Sequence, residues 1–254
     1  MALMDDIRQY WDDDAATYDL SPRHQPTSPV VQAAWTGALE RLLPPAPAAV
    51  LDCGAGTGFL ALMAARLGHR VTAMDLSEAM LERLEVKAKA EGLAIDLVLG
   101  PAERPPTGFD AVMERHLLWT LPDPDGVLAA WRAAAPGGRL VLLESLWGSV
   151  DRAARLRTSA RAALRWGRQQ LGYDEEAPEH HAEYTPAIRQ SLPLGSGTTP
   201  NRLIQLATTA GWATPRVVRL GDIEWAEKQD LPVAERLIGV TPRFAVTADA
   251  TPVR

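Results

Sequence analysis

Val50-Leu51-Asp52-Cys53-Gly54-Ala55-Gly56-Thr57-Gly58-Phe59-Leu60, followed by Val71-Thr72-Ala73-Met74-Asp75-Leu76, decides the fold of this 254-residue chain. A short apolar run enters a glycine cluster, and the cluster opens helical spacing over Phe59 to Leu67. A second apolar run ends on an acid 23 positions after Asp52. This is a nucleotide-handling unit. Glycines at 54, 56 and 58 let the backbone turn tightly and approach a ligand without a Cβ in the way, and an acid closing the next strand can accept both ribose hydroxyls. The spacing separates two cofactor classes. A dinucleotide site needs G-x-G-x-x-G, with a pyrophosphate received at the helix N-terminus. Here the third glycine falls one position early, at Gly58, and Phe59 takes the slot that the dinucleotide pattern reserves for glycine.

Outward from this unit, apolar runs suitable for strands fall at Ala49 to Cys53, Arg70 to Asp75, Ile95 to Leu99, Phe109 to Glu114 and Arg139 to Glu144. Helical spacing separates them over Phe59 to Leu67, Ser77 to Glu91 and Asp125 to Ala134. Regular alternation of apolar strands with helices predicts an α/β fold, a doubly wound and mostly parallel sheet with helices on both faces. Ser77 followed by Glu78 supplies an N-cap and a first-turn acid. Upstream, residues 5 to 20 read as a short acidic helix carrying Tyr10, Trp11 and Tyr18, and Val30 to Leu43 as a second helix bounded by prolines. Downstream of Trp147 an arginine-rich helix spans Asp151 to Gln170. A polar stretch from Tyr173 to Pro200 with His180, His181 and Tyr184 follows it, then a helix over Asn201 to Ala210, a strand within Arg216 to Trp225 and a last strand at Arg243 to Thr247. The expected division is an N-terminal helical cap (1–45), a core (46–147), an inserted lid segment (148–199) and closing elements of the core (200–254).

Composition bounds the function. With 46% hydrophobic residues the chain can bury a sizeable core, and no apolar run approaches the ~20 residues of a membrane span. No signal-like N-terminus precedes the acidic Asp5-Asp6 and Asp12-Asp13-Asp14, so the expected location is the cytoplasm, with no membrane partner. The single Cys53 forms no intrachain disulfide, and one thiol with five scattered His shows no zinc spacing; Cys53 reads as packing beside the glycine loop. A net charge of −6 argues against broad contact with nucleic acid. The exception is the helix carrying Arg152, Arg155, Arg157, Arg161, Arg165 and Arg168. With Leu156, Ala160, Ala163 and Leu164 on the opposite face, it reads as an amphipathic helix with solvated arginines, and contact with an anionic substrate group is the alternative.

The G-x-G-x-G loop with its strand-end acid resembles motifs I and II of the class I S-adenosylmethionine-dependent methyltransferases, and further motifs follow in order. Asp75 to Leu81 matches D-x-S-x-x-M-L, Gly100 to Pro105 stands where the family has its adenine-binding turn, and Leu121-Pro122-Asp123-Pro124 and Pro136-Gly137-Gly138 precede later elements. The subgroup it is most similar to comprises small-molecule enzymes related to ubiquinone and menaquinone biosynthesis, many of which decorate natural products. The resemblance implies a Rossmann-like seven-stranded sheet and S-adenosylmethionine as cofactor. It also implies that Gly54, Gly56 and Gly58 border the methionine portion, that Asp52 orients its amino group, that Asp75 binds the ribose diol, and that Leu76 and Met80 cover the adenine. Where the family commonly has an Asp to accept from adenine N6, this chain has Pro101, so Glu103 or a backbone carbonyl near Ala102 must serve. Tyr18, on a helix that covers the cofactor in similar enzymes, is placed at its carboxylate end, and Arg115 is assigned to cofactor binding through a carboxylate or, alternatively, to capping the sheet edge.

Methyl transfer from a sulfonium needs mainly alignment with the acceptor and exclusion of water. An oxygen or nitrogen acceptor must also lose a proton. His116 and Tyr18 are the first candidates for catalytic contact; His180, His181, Tyr173, Tyr184 and Glu144 complete the list, with the three loop residues His180, His181 and Tyr184 read as solvated. The expected partner is a small-molecule acceptor, in a monomer or homodimer, with Trp11, Trp119 and Trp147 suggesting an aromatic pocket. A nicotinamide-dependent oxidoreductase, a regulatory S-adenosylmethionine-binding protein, one using the cofactor for other chemistry, and an RNA methyltransferase stand as alternatives. The last lacks support from Glu114-Arg115-His116-Leu117, which is no N-P-P-Y or D-P-P-Y sequence.

Overall fold

The computed structural model of the chain describes residues 2–21, 24–147, 151, 153–170, 184 and 186–250. The quoted stretch forms β1 (Ala49–Cys53), α3 (Phe59–Arg66) and β2 (Arg70–Asp75), preceded by α1 (Ala2–Asp14) and α2 (Pro29–Leu42). The alternation continues through α4 (Glu78–Glu91), β3 (Ile95–Leu99), β4 (Ala111–Arg115), α5 (Pro124–Ala134) and β5 (Arg139–Ser145). The chain then runs through α6 (Ala154–Gln170), α7 (Pro186–Ser191), α8 (Pro200–Thr209), β6 (Trp212–Arg219), α9 (Gly221–Asp230), α10 (Val233–Ile238) and β7 (Arg243–Ala250). The seven strands form one sheet in the order β3-β2-β1-β4-β5-β7-β6. Pairs among the first five are parallel, and β7 runs antiparallel to both its neighbours.

Strand order reverses between β1 and β4. Chain crossovers leave this point in opposite directions, so a crevice opens beyond the carboxyl ends of the two strands, where open α/β sheets hold ligands. The first strand ends there on Cys53 and Gly54, the fourth on Arg115 and His116. Alternate residues of β1 anchor opposite faces: Val50 packs with Leu39, Ala61 and Leu84, while Leu51 packs with Val112, Trp131 and Leu142. Both Leu51 and Trp131 are fully buried, and the Trp131 indole N–H donates to the Ala102 carbonyl at 2.9 Å, fixing the turn after β3.

Local chemistry sets the helix starts. The hydroxyl of Ser77 accepts from Met80 N–H at 3.1 Å, Asp123 accepts from Gly126 N–H at 2.9 Å, and Thr199 accepts from Arg202 N–H at 3.2 Å. Ser77 also donates to Asp12 at 2.6 Å, tying the first helix onto α4.

Gly58 opens α3 with φ +93°, and a Cβ there would lie 2.1 Å from a methyl of Leu84. This glycine serves helix packing: α3 and α4 approach through it, away from the crevice. Gly58→Ala is expected to cost about 1–3 kcal/mol through backbone strain and overpacking. Urea unfolding checks this, with ligand affinity in the folded fraction retained.

Three expectations change. Trp225 belongs to α9, because the strand ends at Arg219 and the Gly221 turn starts a helix. The edge strand begins earlier, at Trp212, with a register irregularity between Ala213 and Arg216. Finally, the arginines of α6 are not uniformly solvated: Arg157, Arg161 and Arg168 are half-buried while Arg155 and Arg165 are exposed, and on the apolar side Ala160 and Leu164 are half-buried while Leu156 is 74% exposed.

Candidate functional site

A cavity of about 730 Å³ occupies the crevice. At one end it is bordered by the glycine loop and the end of β2, at the other by α1, α6 and the residues after β4 and β5. The sequence-predicted residues Tyr18, Gly54, Gly56, Asp75, Leu76, Met80, Ala102, Arg115 and His116 all line it. Gly58 and Glu103 do not. Gly58 packs against Leu84 as described, and Glu103 keeps one oxygen, Oε2, buried without a hydrogen-bond partner. The wall near Ala102 is formed instead by Met74, Gly100 and Pro101.

At the glycine-loop end the backbone is held by the acid that ends β2. The Asp75 carboxylate accepts from Gly56 N–H at 2.7 Å and from Ser77 N–H at 2.9 Å. Gly56 sits at φ +54° and Gly54 at φ +66°, where a Cβ would strike Leu117. Burial pushes the Asp75 carboxyl up, and the three backbone N–H bonds from Ser77, Gly56 and Leu76 oppose that. Met80, 2% exposed, and Leu76 present apolar surface beside it.

Behind the loop lies a smaller space of about 20 Å³, enough for one water, bordered by Tyr18, Asp52, Gly54, Gly56, Phe59 and Arg115. Asp52 is 1% exposed, and its Oδ2 is buried with no hydrogen-bond partner. Burial pushes this carboxyl well up, the backbone N–H of Ala61 opposes, and the Asp75 charge adds to the rise. The Arg115 guanidinium lies 3.8 Å from the centre of the Phe59 ring, so the residue in the non-glycine slot seats a cation beside the loop. Tyr18 stacks on His24 at 3.8 Å, and Thr57 donates to Asp19 at 2.6 Å, which together fasten the segment after α1 onto the glycine loop. Cys53 is fully buried and its thiol is pushed well up by burial, which makes it packing and not a nucleophile.

The opposite side of the crevice carries proton chemistry. His116 follows β4 at φ +60°, in the left-handed region, and its Nδ1 lies 3.0 Å from Glu144 Oε2 on the neighbouring strand. The imidazole is 28% exposed at the cavity and the Glu144 side chain is fully enclosed. Glu114, also fully buried, accepts from the N–H groups of Leu117 and Leu118 at 2.7 and 3.3 Å, which shapes the turn that carries His116. Burial pushes Glu144 up to about 8, and burial together with the Glu144 charge pushes Glu114 well up. Burial, then the charges of Arg115 and Arg243, pull His116 well below its ordinary value. An ionised Glu144 accepts Nδ1–H and leaves Nε2 as the basic atom.

Aromatic and basic residues complete the wall. Tyr184 is buried, its hydroxyl accepts from the Trp11 indole N–H at 2.8 Å, and burial raises its phenol; it is an aromatic wall residue and not a solvated one. Trp119 packs edge-on to Trp147 with ring centres 4.9 Å apart and against Tyr184 at 5.3 Å. From α6, Arg157, Arg161 and Arg165 reach the cavity, joined by Arg189 of α7. Their i, i+4, i+8 spacing was visible as a stripe, but nothing local showed that it faced inward. His180, His181 and Tyr173 lie outside the described residues. Among the described residues no group of His, Cys, Asp and Glu could hold a metal ion, and no helix is long and apolar enough to cross a membrane.

Comparison with known proteins agrees with this geometry. Residues 51–142 match the family model described as a methyltransferase domain. The ubiquinone biosynthesis O-methyltransferase of Xanthomonas axonopodis pv. citri (strain 306) is 35% identical over 105 residues, which is 39% of this chain and 44% of that protein. A demethylmenaquinone methyltransferase of Tropheryma whipplei (strain Twist) is 37% identical over 97 residues, 37% of this chain and 41% of its own length. The matches thus span less than half the length of these curated relatives. Among solved structures, the geranyl diphosphate C-methyltransferase of Streptomyces coelicolor A3(2), in complex with Mg²⁺, geranyl diphosphate and S-adenosyl-L-homocysteine, superposes with a TM-score of 0.62 at 13% identity. That superposition covers 99% of both chains. A SAM-dependent methyltransferase from Aquifex aeolicus superposes at 0.58 with 15% identity, over 92% of this chain and 97% of that one.

Residues 51–142 thus resemble a methyltransferase domain, and they sit on a mostly parallel seven-stranded sheet of Rossmann-like architecture. S-adenosylmethionine is the cofactor that the resemblance implies, and the residues present fit it: the Asp75 carboxylate at the end of β2, the apolar Leu76 and Met80 beside it, and an orphaned buried carboxyl oxygen at Asp52 behind the loop.

Proposed function

We propose that the protein transfers a methyl group from S-adenosylmethionine to a nitrogen or oxygen of a small molecule, a natural product or secondary metabolite. The observation that carries this reading is one cavity with the glycine loop and Asp75 at one end and His116, backed by the enclosed Glu144, in its wall. Asp75 holds the ribose hydroxyls, Leu76 and Met80 cover the adenine, and Tyr18 with Arg115 receives the carboxylate end. Asp52 orients the amino group across the water-sized space. Bound there, the cofactor supplies a methyl group on a cationic sulfur, open to in-line displacement. The chain supplies alignment, water exclusion by α1 and the aromatic cluster, and a proton acceptor at His116 Nε2.

This reading extends to the domain division: an N-terminal cap of residues 1–45, a core made of 46–147 and 200–254, and an inserted segment of 148–199. A cytoplasmic monomer or homodimer that does not bind nucleic acid is consistent with the acidic balance of the chain.

Label transfer tests the proposal. Incubation with methyl-labelled S-adenosylmethionine and a panel of phenols, amines and carboxylated aromatics is expected to label a small molecule. Label confined to RNA, or none despite tight S-adenosylhomocysteine binding, contradicts it.

A pH profile tests the proton step. With Glu144 raised to about 8, its carboxylate forms as pH rises through that value. Transfer should therefore increase between about pH 7 and 9 and level off above. Glu144→Gln is expected to flatten this limb and lower the plateau about tenfold. The same shift has a stability consequence of defined sign: the folded protein keeps a proton that the unfolded chain releases at lower pH, so stability falls as pH rises toward about 8. The Gln variant should gain more in Tm at pH 9 than at pH 6.

A further inference from the structure

Two carboxyls stand in the apolar layer on one face of the sheet, directly behind the imidazole that borders the cavity. Register pairs Glu114 of β4 with Leu142 of β5, and Glu144 lies two residues further along that strand, so both side chains leave the face that carries Val112, Leu140 and Leu142. Both are fully enclosed. One oxygen of each is engaged: Glu114 Oε2 accepts from the N–H groups of Leu117 and Leu118 at 2.7 and 3.3 Å, and Glu144 Oε2 lies 3.0 Å from His116 Nδ1. The other oxygen of each, Oε1, is buried with no hydrogen-bond partner among the described residues. The charged neighbours turn to the opposite face. Arg115 lies there over Phe59, Arg243 lies over Trp35 with Glu227 at 2.8 Å, and Asp52 alternates to that side of β1. Cys53, on the same face as the glutamates, is held neutral by burial.

Two ionised carboxylates in an enclosed apolar layer repel each other and lack water to solvate them. Two neutral carboxylic acids would place a second hydroxyl in the same space. A single proton satisfies both orphaned oxygens: bound to one Oε1 it is donated to the other, and the pair keeps one negative charge. We propose that Glu114 and Glu144 share one proton between their Oε1 atoms, which makes Glu114 a positioning residue that sets when Glu144 becomes an anion against His116; its part in methyl transfer rests on the proposed function. The two backbone N–H groups favour the charge on Glu114, so the proton sits on Glu144, whose Oε2 still accepts Nδ1–H. When the shared proton leaves to solvent, Glu144 Oε2 becomes a stronger acceptor for Nδ1–H and Nε2, at the cavity, becomes more basic. After burial, the Glu144 charge is the largest influence on Glu114, and the titration belongs to the pair.

Infrared spectra and histidine nitrogen NMR of the full chain, without ligand, test the sharing. At pH 7, Glu114→Gln and Glu144→Gln are each expected to remove the same protonated-carboxyl band, and the double variant to remove no more, because the one proton needs both side chains. Glu114→Gln keeps an oxygen for the Leu117 and Leu118 N–H groups and offers an N–H to Glu144. The pH titration seen at the His116 ring, assigned by its absence in His116→Asn, should therefore move down by at least about one pH unit in that variant. Different bands lost additively in the two single variants, no band lost in either, or an unmoved His116 titration overturns the inference. Neither readout involves a methyl acceptor, so a failure of label transfer counts against the proposed function and not against the shared proton.

Discussion

His116→Asn lowers the rate of methyl transfer about 10²- to 10⁴-fold, the range over which a positioned proton acceptor acts, while S-adenosylhomocysteine affinity changes less than about threefold. Asparagine is the informative replacement because His116 sits at φ +60°. Asn tolerates that left-handed backbone, whereas Ala would add about 1–2 kcal/mol of strain unrelated to chemistry. The loss belongs to kcat, since in the proposed step the imidazole acts on the acceptor proton in the transition state and does not hold the ribose or adenine. The rising pH limb should vanish in the same variant, because Glu144 acts only through Nδ1 of this ring. Single-turnover rates at pH 7, 8 and 9, with calorimetry for the cofactor product, check both parts. An unchanged rate would mean that the acceptor arrives already ionised and that alignment alone carries the reaction.

Asp75→Ala weakens S-adenosylhomocysteine binding at least about 100-fold. Hydrogen bonds to an ionised group contribute about 1.5–3 kcal/mol each, and two ribose hydroxyls converge on this carboxylate in the proposed complex. The same side chain anchors Gly56 N–H and Ser77 N–H, so the substitution also loosens the loop. A double-mutant cycle separates the two effects. Replacing the ribose 2′-hydroxyl of the ligand by hydrogen should cost the native protein about tenfold and the variant almost nothing. If the deoxy ligand loses as much with the variant as with the native protein, Asp75 shapes the loop without touching the ribose.

How much of this was legible in the sequence depended on whether the signal was local. The edges of β1, β2 and β3 follow from short apolar runs bounded by glycine and acid, and α4 begins at the Ser77 cap that its composition predicts. The meeting of Gly56 with Asp75, and the place of Gly54 beside them on the cavity, were legible for the same reason, because the turn and the acid that organises it lie within one strand-loop-helix-strand unit. Gly58 was not. A glycine signals that backbone must approach something, and the sequence does not say whether that is a ligand or Leu84 of a neighbouring helix.

The pairing of His116 with Glu144 was equally hidden. Both residues were candidates, yet their meeting depends on the register of β4 against β5, across 28 residues of chain. On α6 the 3.6-residue period found the amphipathic helix but not its orientation: Arg155 and Arg165 are exposed as the usual preference expects, whereas Arg157 and Arg161 are half-buried along the cavity, a placement that only the tertiary structure decides. Tyr184 illustrates the same limit: a polar, proline-containing neighbourhood reads as solvated, and only the packing of α1 and Trp119 around it makes it a buried wall.

The central claim is that the crevice between β1 and β4 holds S-adenosylmethionine with its methyl group directed at an acceptor beside His116. A crystal structure with S-adenosylhomocysteine tests it most directly. The account predicts both ribose hydroxyls within hydrogen-bond distance of Asp75, the adenine against Leu76 and Met80, the carboxylate near Arg115 and Tyr18, and the thioether facing the pocket of His116, Trp119 and the α6 arginines. A ligand lying elsewhere, or one whose ribose avoids Asp75, would contradict it.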